Sequence, residues 1–159
     1  MKTDLLDLLY EQHAEIDGLL ARLADPTIAR RDTFLELATT LAAHIAVETR
    51  VFFPAIMREH SELRRRSVDE CQAIKRQVAD MLGLDPDSAD RQDIDTFDLR
   101  LRHLATAIRH HSHDFEEVQL FPLLAELMDD REREDLGGEA VILYASLMSR
   151  DEAPQRLAA

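Results

Sequence analysis

One line of residues constrains this chain more than any other: Leu37, Leu41, His44, Glu48, Val51 and Ala55, spaced by four, three, four, three and four. That spacing is the inward stripe of an α-helix. His44 and Glu48 stand one turn apart in the middle of it. An ionised carboxylate cannot be buried cheaply without a partner, so something must compensate Glu48. A metal ion is one such partner, since an imidazole and a carboxylate one turn apart on one face can both reach it. A plain His–Glu hydrogen-bonded pair is the other, and for an isolated H-x3-E it is the default.

The rest of the chain shows the same helical periodicity. Leu5, Leu6, Leu9, His13, Ile16, Leu20 and Leu23 predict a first helix from Thr3 to Ala24, stopped at Asp25-Pro26. The second helix is predicted from Arg30 to Glu59, loosened near its end by Pro54. Ser67, Cys71, Ile74, Val78 and Met81 predict a third, from Glu62 to Leu82. Gly83, Pro86, Asp87 and Ser88 mark the longest polar connection. Leu101, Leu104, Ile108, His111, Phe115, Val118 and Pro122 then carry a fourth helix, from Ile94 to Met128. A charged segment follows, Gly137-Gly138 reads as a break, and Glu139 to Ser149 predicts a last helix lying across the others, with Val141, Ile142, Tyr144, Ala145 and Met148 as its apolar residues. Only four glycines and five prolines occur, which suits long helices.

The helices form a repeat. Glu48 precedes Phe53-Pro54 as Glu116 precedes Phe121-Pro122, and His13-x2-Ile16 matches Cys71-x2-Ile74. Two such pairs make an all-α, up-and-down four-helix bundle with a short extra C-terminal helix, whose ligands would project inward. The second half is imperfect. Ser112 stands where His44 would repeat, and the stripe points His111 inward, five residues before Glu116. Five residues of regular helix turn about 140°, too far for both to meet one ion. A one-residue bulge would bring them together. His113 competes for the same role, three residues before Glu116 and four before Glu117, and ranks second because it leaves the stripe. His60, His103 and His110 are expected to be exposed.

A formal net charge of −13 makes nucleic acid and anionic membrane poor partners. Arg64-Arg65-Arg66 is the only basic run and reads as a solvated face. No apolar stretch approaches a membrane span, and Lys2 followed by Asp4 and Asp7 does not read as a signal peptide. Cys71 is the only cysteine, so there is no intrachain disulfide, and a cytoplasmic location is expected.

These residues together resemble the hemerythrin-like, or HHE cation-binding, family. That pattern has a histidine in the first helix, H-x3-E followed by Phe-Pro in the second, a histidine in the third, and a histidine with a carboxylate in the fourth. His13, His44 and Glu48 match the first half, and His111 and Glu116 match an H-x4-acid form of the last part. The resemblance runs from Leu5 to Met128. It implies a single helical domain over residues 1–150, with a disordered tail over 151–159, and a non-haem iron centre of one or two ions. Glu48 and Glu116 would bridge the ions, and dioxygen, peroxide or nitric oxide would be the small ligand, carried, sensed or, for peroxide, consumed. The third helix departs from the pattern: Cys71 stands where a histidine is expected, and no histidine occurs from Ser61 through Arg102. Cys71 is either a thiolate ligand or a small buried hydrophobe. The resemblance therefore implies the ligand set His13, His44, Glu48, Cys71, His111 and Glu116, with one ion held more weakly than the other. A helical bundle that has lost its metal and serves as an interaction or structural module is the alternative, favoured by Cys71 and Ser112.

Overall fold

The computed structural model describes residues 3–56 and 60–149, and among these there is no strand. The first helix spans Leu5–Leu23, the third Ser61–Met81 and the fifth Asp130–Met148. The second and fourth are composite. The second is α-helical over Arg31–Val47, π-helical over Glu48–Phe52 and α-helical again over Phe53–Ile56; the fourth is α over Arg91–Arg109, π over His110–Leu120 and α over Phe121–Leu127. The expected end of the second helix, residues 57–59, and the expected tail, residues 151–159, lie outside the described residues.

The inward stripes of the first three helices follow the periodicity, except that Leu6 and Ala55 are only partly buried. Leu5, Leu9, His13, Ile16, Leu20 and Leu23 are buried on the first, Leu37, Leu41, His44, Glu48 and Val51 on the second, and Ser67, Cys71, Ile74, Val78 and Met81 on the third. Phe52, Phe97, Phe115 and Phe121 are the largest side chains sealed in the core. Aromatic burial of this kind supplies much of the apolar driving force in a chain without tryptophan.

Three expectations are corrected. The fourth helix starts at Arg91, three residues early, because Asp90 caps it by accepting from the Gln92 N–H at 2.8 Å. Val118 and Pro122 are exposed rather than inward. The π segment adds a residue to the turn, so the buried line passes from Phe115 to Glu116 and on to Leu120, Phe121 and Leu124. Finally, Gly137-Gly138 does not break the chain. The last helix begins at Asp130 on a capping box, in which Asp129 accepts from the Glu132 N–H and Glu132 from the Asp129 N–H, both at 2.9 Å. Gly137 lies within it against the chain entering the first helix, where a Cβ would overlap the Thr3 carbonyl oxygen.

The last helix lies along the first and second. Its contacts move from Asp4, paired with Arg133, to Glu15, which accepts from the Tyr144 hydroxyl. Gly137, Ala140 and Leu147 face inward, whereas Val141 and Ile142 are exposed. The far end of the bundle is tied by Arg30, which is buried. Its guanidinium donates to Asp98 Oδ1 at 2.6 Å and to the Pro86 carbonyl at 2.9 Å, while Asp87 accepts from the Arg30 and Arg31 N–H groups at the start of the second helix. The polar connection is thus a helix cap, and it fixes the second and fourth helices in register for the opposite end.

Candidate metal centre

Both π segments begin beside a site residue and end at Phe-Pro. The Phe53 N–H donates to the Glu48 carbonyl, and the Phe121 N–H donates to the Glu116 carbonyl, each five residues back. The proline ring that follows would crowd the carbonyl four residues before it, so the helix widens there. A wider turn brings residues five apart toward one line. This is how His111 and Glu116 come to face the same space, with His111 Nε2 3.5 Å from Glu116 Oε1.

The six residues expected at the site all meet inside the bundle. Their burial is nearly complete, with Glu48 and Glu116 0% exposed, Cys71 1%, and His13, His44 and His111 2% each. Two groups of donor atoms, each lying within 4.8 Å of one another, share Glu48: His13, His44, Glu48 and Glu116 form one, and Glu48, Cys71 and His111 the other. Each carboxylate is divided between them. Glu48 Oε1 approaches His44 Nε2 at 2.7 Å, and its Oε2 lies 3.6 Å from His111 Nε2 and accepts from the Cys71 thiol at 3.4 Å. Glu116 Oε2 lies 3.3 Å from His13 Nε2, and its Oε1 turns to His111.

The outer nitrogen of each histidine is held by a side chain on a neighbouring helix. His44 Nδ1 donates to Gln12 Oε1 at 2.8 Å, His13 Nδ1 to Glu117 Oε1 at 2.7 Å, and His111 Nδ1 to Glu70 Oε2 at 3.0 Å. Burial alone would raise the Glu70 and Glu117 pKa values, but hydrogen bonds from the histidines outweigh it and both carboxyls are lowered, so they act as acceptors. Each Nε2 therefore presents a lone pair to the interior when its ring is neutral. His113 does not join the buried groups. It is half-buried, donates to Glu117 at 2.9 Å and lies 2.8 Å from Asp17 Oδ2, so it steadies the carboxylate that holds His13.

Gln12, Glu70 and Glu117 were not anticipated as members of the site. Each is adjacent in sequence to a residue that was, Gln12 before His13, Glu70 before Cys71 and Glu117 after Glu116. A neighbour lies about 100° around the helix, which places it at the seam with the next helix. Arg66 is also more than a solvated cation, as its guanidinium lies 3.8 Å over the Phe115 ring and donates to Glu70 Oε1 at 2.8 Å.

Charge at the centre is unbalanced. Burial would raise Glu48, yet His44 and His111 hold its pKa well below the usual carboxylate range. Burial and the Glu48 charge push Glu116 well above that range. Burial opposes a charge on His111, but Glu116 and Glu48 outweigh it and raise its pKa well above 6.5. Burial, reinforced by His44, lowers His13 to about 4. Burial and Glu48 push the Cys71 thiol up to about 12.

Buried hydrogen bonding shows what fits here. Among the described residues, His13 Nε2, His44 Nε2, Glu48 Oε1 and both Glu116 oxygens are sealed from solvent and have no hydrogen-bond partner. Each such atom costs about 1–3 kcal/mol, more when charged. The 2.7 Å approach of His44 Nε2 to Glu48 Oε1 sets two lone pairs against each other unless a proton or a metal ion lies between them. The imidazole and carboxylate donors, their outer hydrogen bonds and their unmet valences therefore fit a metal ion.

Among the described residues no helix is long and apolar enough to cross a membrane. Comparison with curated proteins and with solved structures gives no significant match. The sequence model of the hemerythrin HHE cation binding domain matches residues 4–124, which include every residue of the buried cluster. The chain belongs to the hemerythrin HHE cation-binding domain family.

Proposed function

We propose that this chain is a non-haem iron protein with an asymmetric two-ion centre that binds or senses a small ligand. The observation that carries the reading is the set of fully buried, unpartnered atoms on His13, His44, Glu48 and Glu116, with Glu48 shared between that group and a second formed with Cys71 and His111. His13 and His44 would hold the first ion and His111 and Cys71 the second, with Glu48 and Glu116 offering one oxygen to each. Nitrogen and oxygen donors suit iron, and iron with an open position binds small molecules such as dioxygen, peroxide or nitric oxide.

The protein's own contribution is arrangement and exclusion. Gln12, Glu117 and Glu70 fix the tautomers and ring planes of the histidines. His13 also stacks on Phe121 at a centroid distance of 5.6 Å, which limits the tilt of its ring. Phe52, Phe115 and Phe121 are buried around the cluster and keep bulk water out, strengthening every charge interaction inside. The first group is the richer in imidazole, so its ion is held more tightly. The second depends on one imidazole and a thiol that must give up its proton to ligate.

The test is metal content. His44→Ala and Glu48→Ala, each purified from iron-replete cells, should lose most of the iron found in the parent protein. Full retention by both variants would exclude this ligand set. A parent protein that binds no iron even when reconstituted with ferrous ion without air would favour the metal-free bundle acting as an interaction module.

A further inference from the structure

We propose that small anions reach the metal centre through the cleft between the second, third and C-terminal helices, passing Cys71, with Lys75 and Arg50 selecting their charge. The proposal rests on the iron-binding reading above and adds to it a route and a ligand class.

The cleft has a volume of about 330 Å³. Ala42, Ala43 and Ala46 of the second helix, Val68 of the third and Leu147 of the last contribute to its walls, and Cys71 lines it. The small alanine side chains keep the second helix from closing the space. Cys71 is 1% exposed, and on its other side its sulfur lies 3.4 Å from Glu48 Oε2 and 3.6 Å from His111 Nε2. One side chain thus separates the cleft from the second donor group. The unpartnered Glu116 oxygens, one of them turned toward His111, lie in the same interior.

Lys75 and Arg50 also line the cleft. Among the described residues neither is engaged in an ion pair. In a chain of net charge −13, most of the surface repels an anion. Two cations beside a cleft that borders the centre reverse that locally. A small anion gains from them on approach, and a cation of the same size does not. Lys75 is half-buried, so its attraction is less screened than that of a charge on the open surface.

Cys71 itself is the reporter. In metal-free protein, a methanethiosulfonate reagent that enters the cleft is attacked by the Cys71 sulfur at its sulfenyl sulfur. A mixed disulfide forms, the reagent's sulfur–sulfur bond breaks, methanesulfinate leaves and the thiol proton passes to solvent. The anionic sulfonatoethyl reagent should label Cys71 at least tenfold faster than the cationic trimethylammonium reagent of similar size. Lys75→Glu should abolish or invert that preference. Ala46→Phe, which fills the cleft, should slow both reagents at least tenfold while the circular dichroism spectrum is unchanged. In iron-loaded Ala46→Phe, azide should bind at least tenfold more slowly at unchanged iron content. Equal labelling by the two reagents, or labelling that ignores both substitutions, would overturn the route. The labelling needs no iron, so failure of the route and failure of the iron reading are measured separately.

Discussion

Glu70 does for His111 what Gln12 does for His44 and Glu117 for His13: it takes the outer nitrogen so that the inner one faces the cluster. Removing such a partner typically costs about 10–100-fold in metal affinity. Glu70→Ala should therefore weaken the second ion by that factor and leave the first almost untouched, and Glu70→Gln, which keeps an acceptor, should restore most of the loss. Equal affinities for the second ion in the parent protein and Glu70→Ala would contradict the role. Cys71 separates two outcomes in the same assay. If its sulfur ligates, Cys71→Ser lowers second-site occupancy and Cys71→His raises it toward two ions. If it only fills space, Cys71→Ser leaves occupancy alone.

Protons and metal compete at these residues. Burial and the Glu48 charge raise Glu116, and Glu116 and Glu48 raise His111 against its burial, so in the metal-free pocket each gives up its proton less readily than in solution. An ion must displace those protons, so affinity should fall as pH falls and binding should release protons. Calorimetric titration in two buffers of different ionisation enthalpy reads that release directly; identical apparent enthalpies would mean that none occurs. The buried cluster was largely legible at this scale, because three histidines and two glutamates lay on or beside apolar stripes. Gln12, Glu70 and Glu117 were not legible, since a polar residue beside a stripe is ordinarily just solvated.

At the scale of the element, the stripes placed the first three helices within a few residues, and the five-residue gap between His111 and Glu116 signalled the bulge that the fourth helix contains. Carrying an α-helical period past that bulge put Val118 inward, where it is not. Pro54 signalled that the second helix loosens near its end, but not that the loosening takes the form of the π segment Glu48–Phe52. Gly137-Gly138 was misread because glycine serves close approach as well as chain reversal, while the D-x-x-E of Asp129 and Glu132 was the helix start. The two glycines can be told apart. Gly137→Ala forces a methyl into the Thr3 backbone and should cost about 1–3 kcal/mol. Gly138→Ala meets nothing within 4 Å and should gain about 0.5–1 kcal/mol from helix propensity. Urea midpoints check both, and a Gly137→Ala protein as stable as its parent would refute the close contact.

For the whole molecule, the far end is closed by the Arg30 clamp and the centre lies among helices that carry unpaired polar atoms through the core. Such a bundle is stabilised by whatever binds only its folded form. An ion present at a hundred times its dissociation constant contributes about 2.7 kcal/mol. For a chain of this length that raises the melting temperature by on the order of 5–10 °C. The pattern of helices was readable from periodicity, whereas the division of Glu48 and Glu116 between two donor groups is a three-dimensional fact with no sequence signal beyond the repeat. Anaerobic ferrous titration of the metal-free protein tests that division most directly. The account predicts two ions per chain, the first tight and the second at least tenfold weaker, with both steps lost in Glu48→Ala. Two ions of equal affinity, or no saturable binding at all, would contradict it.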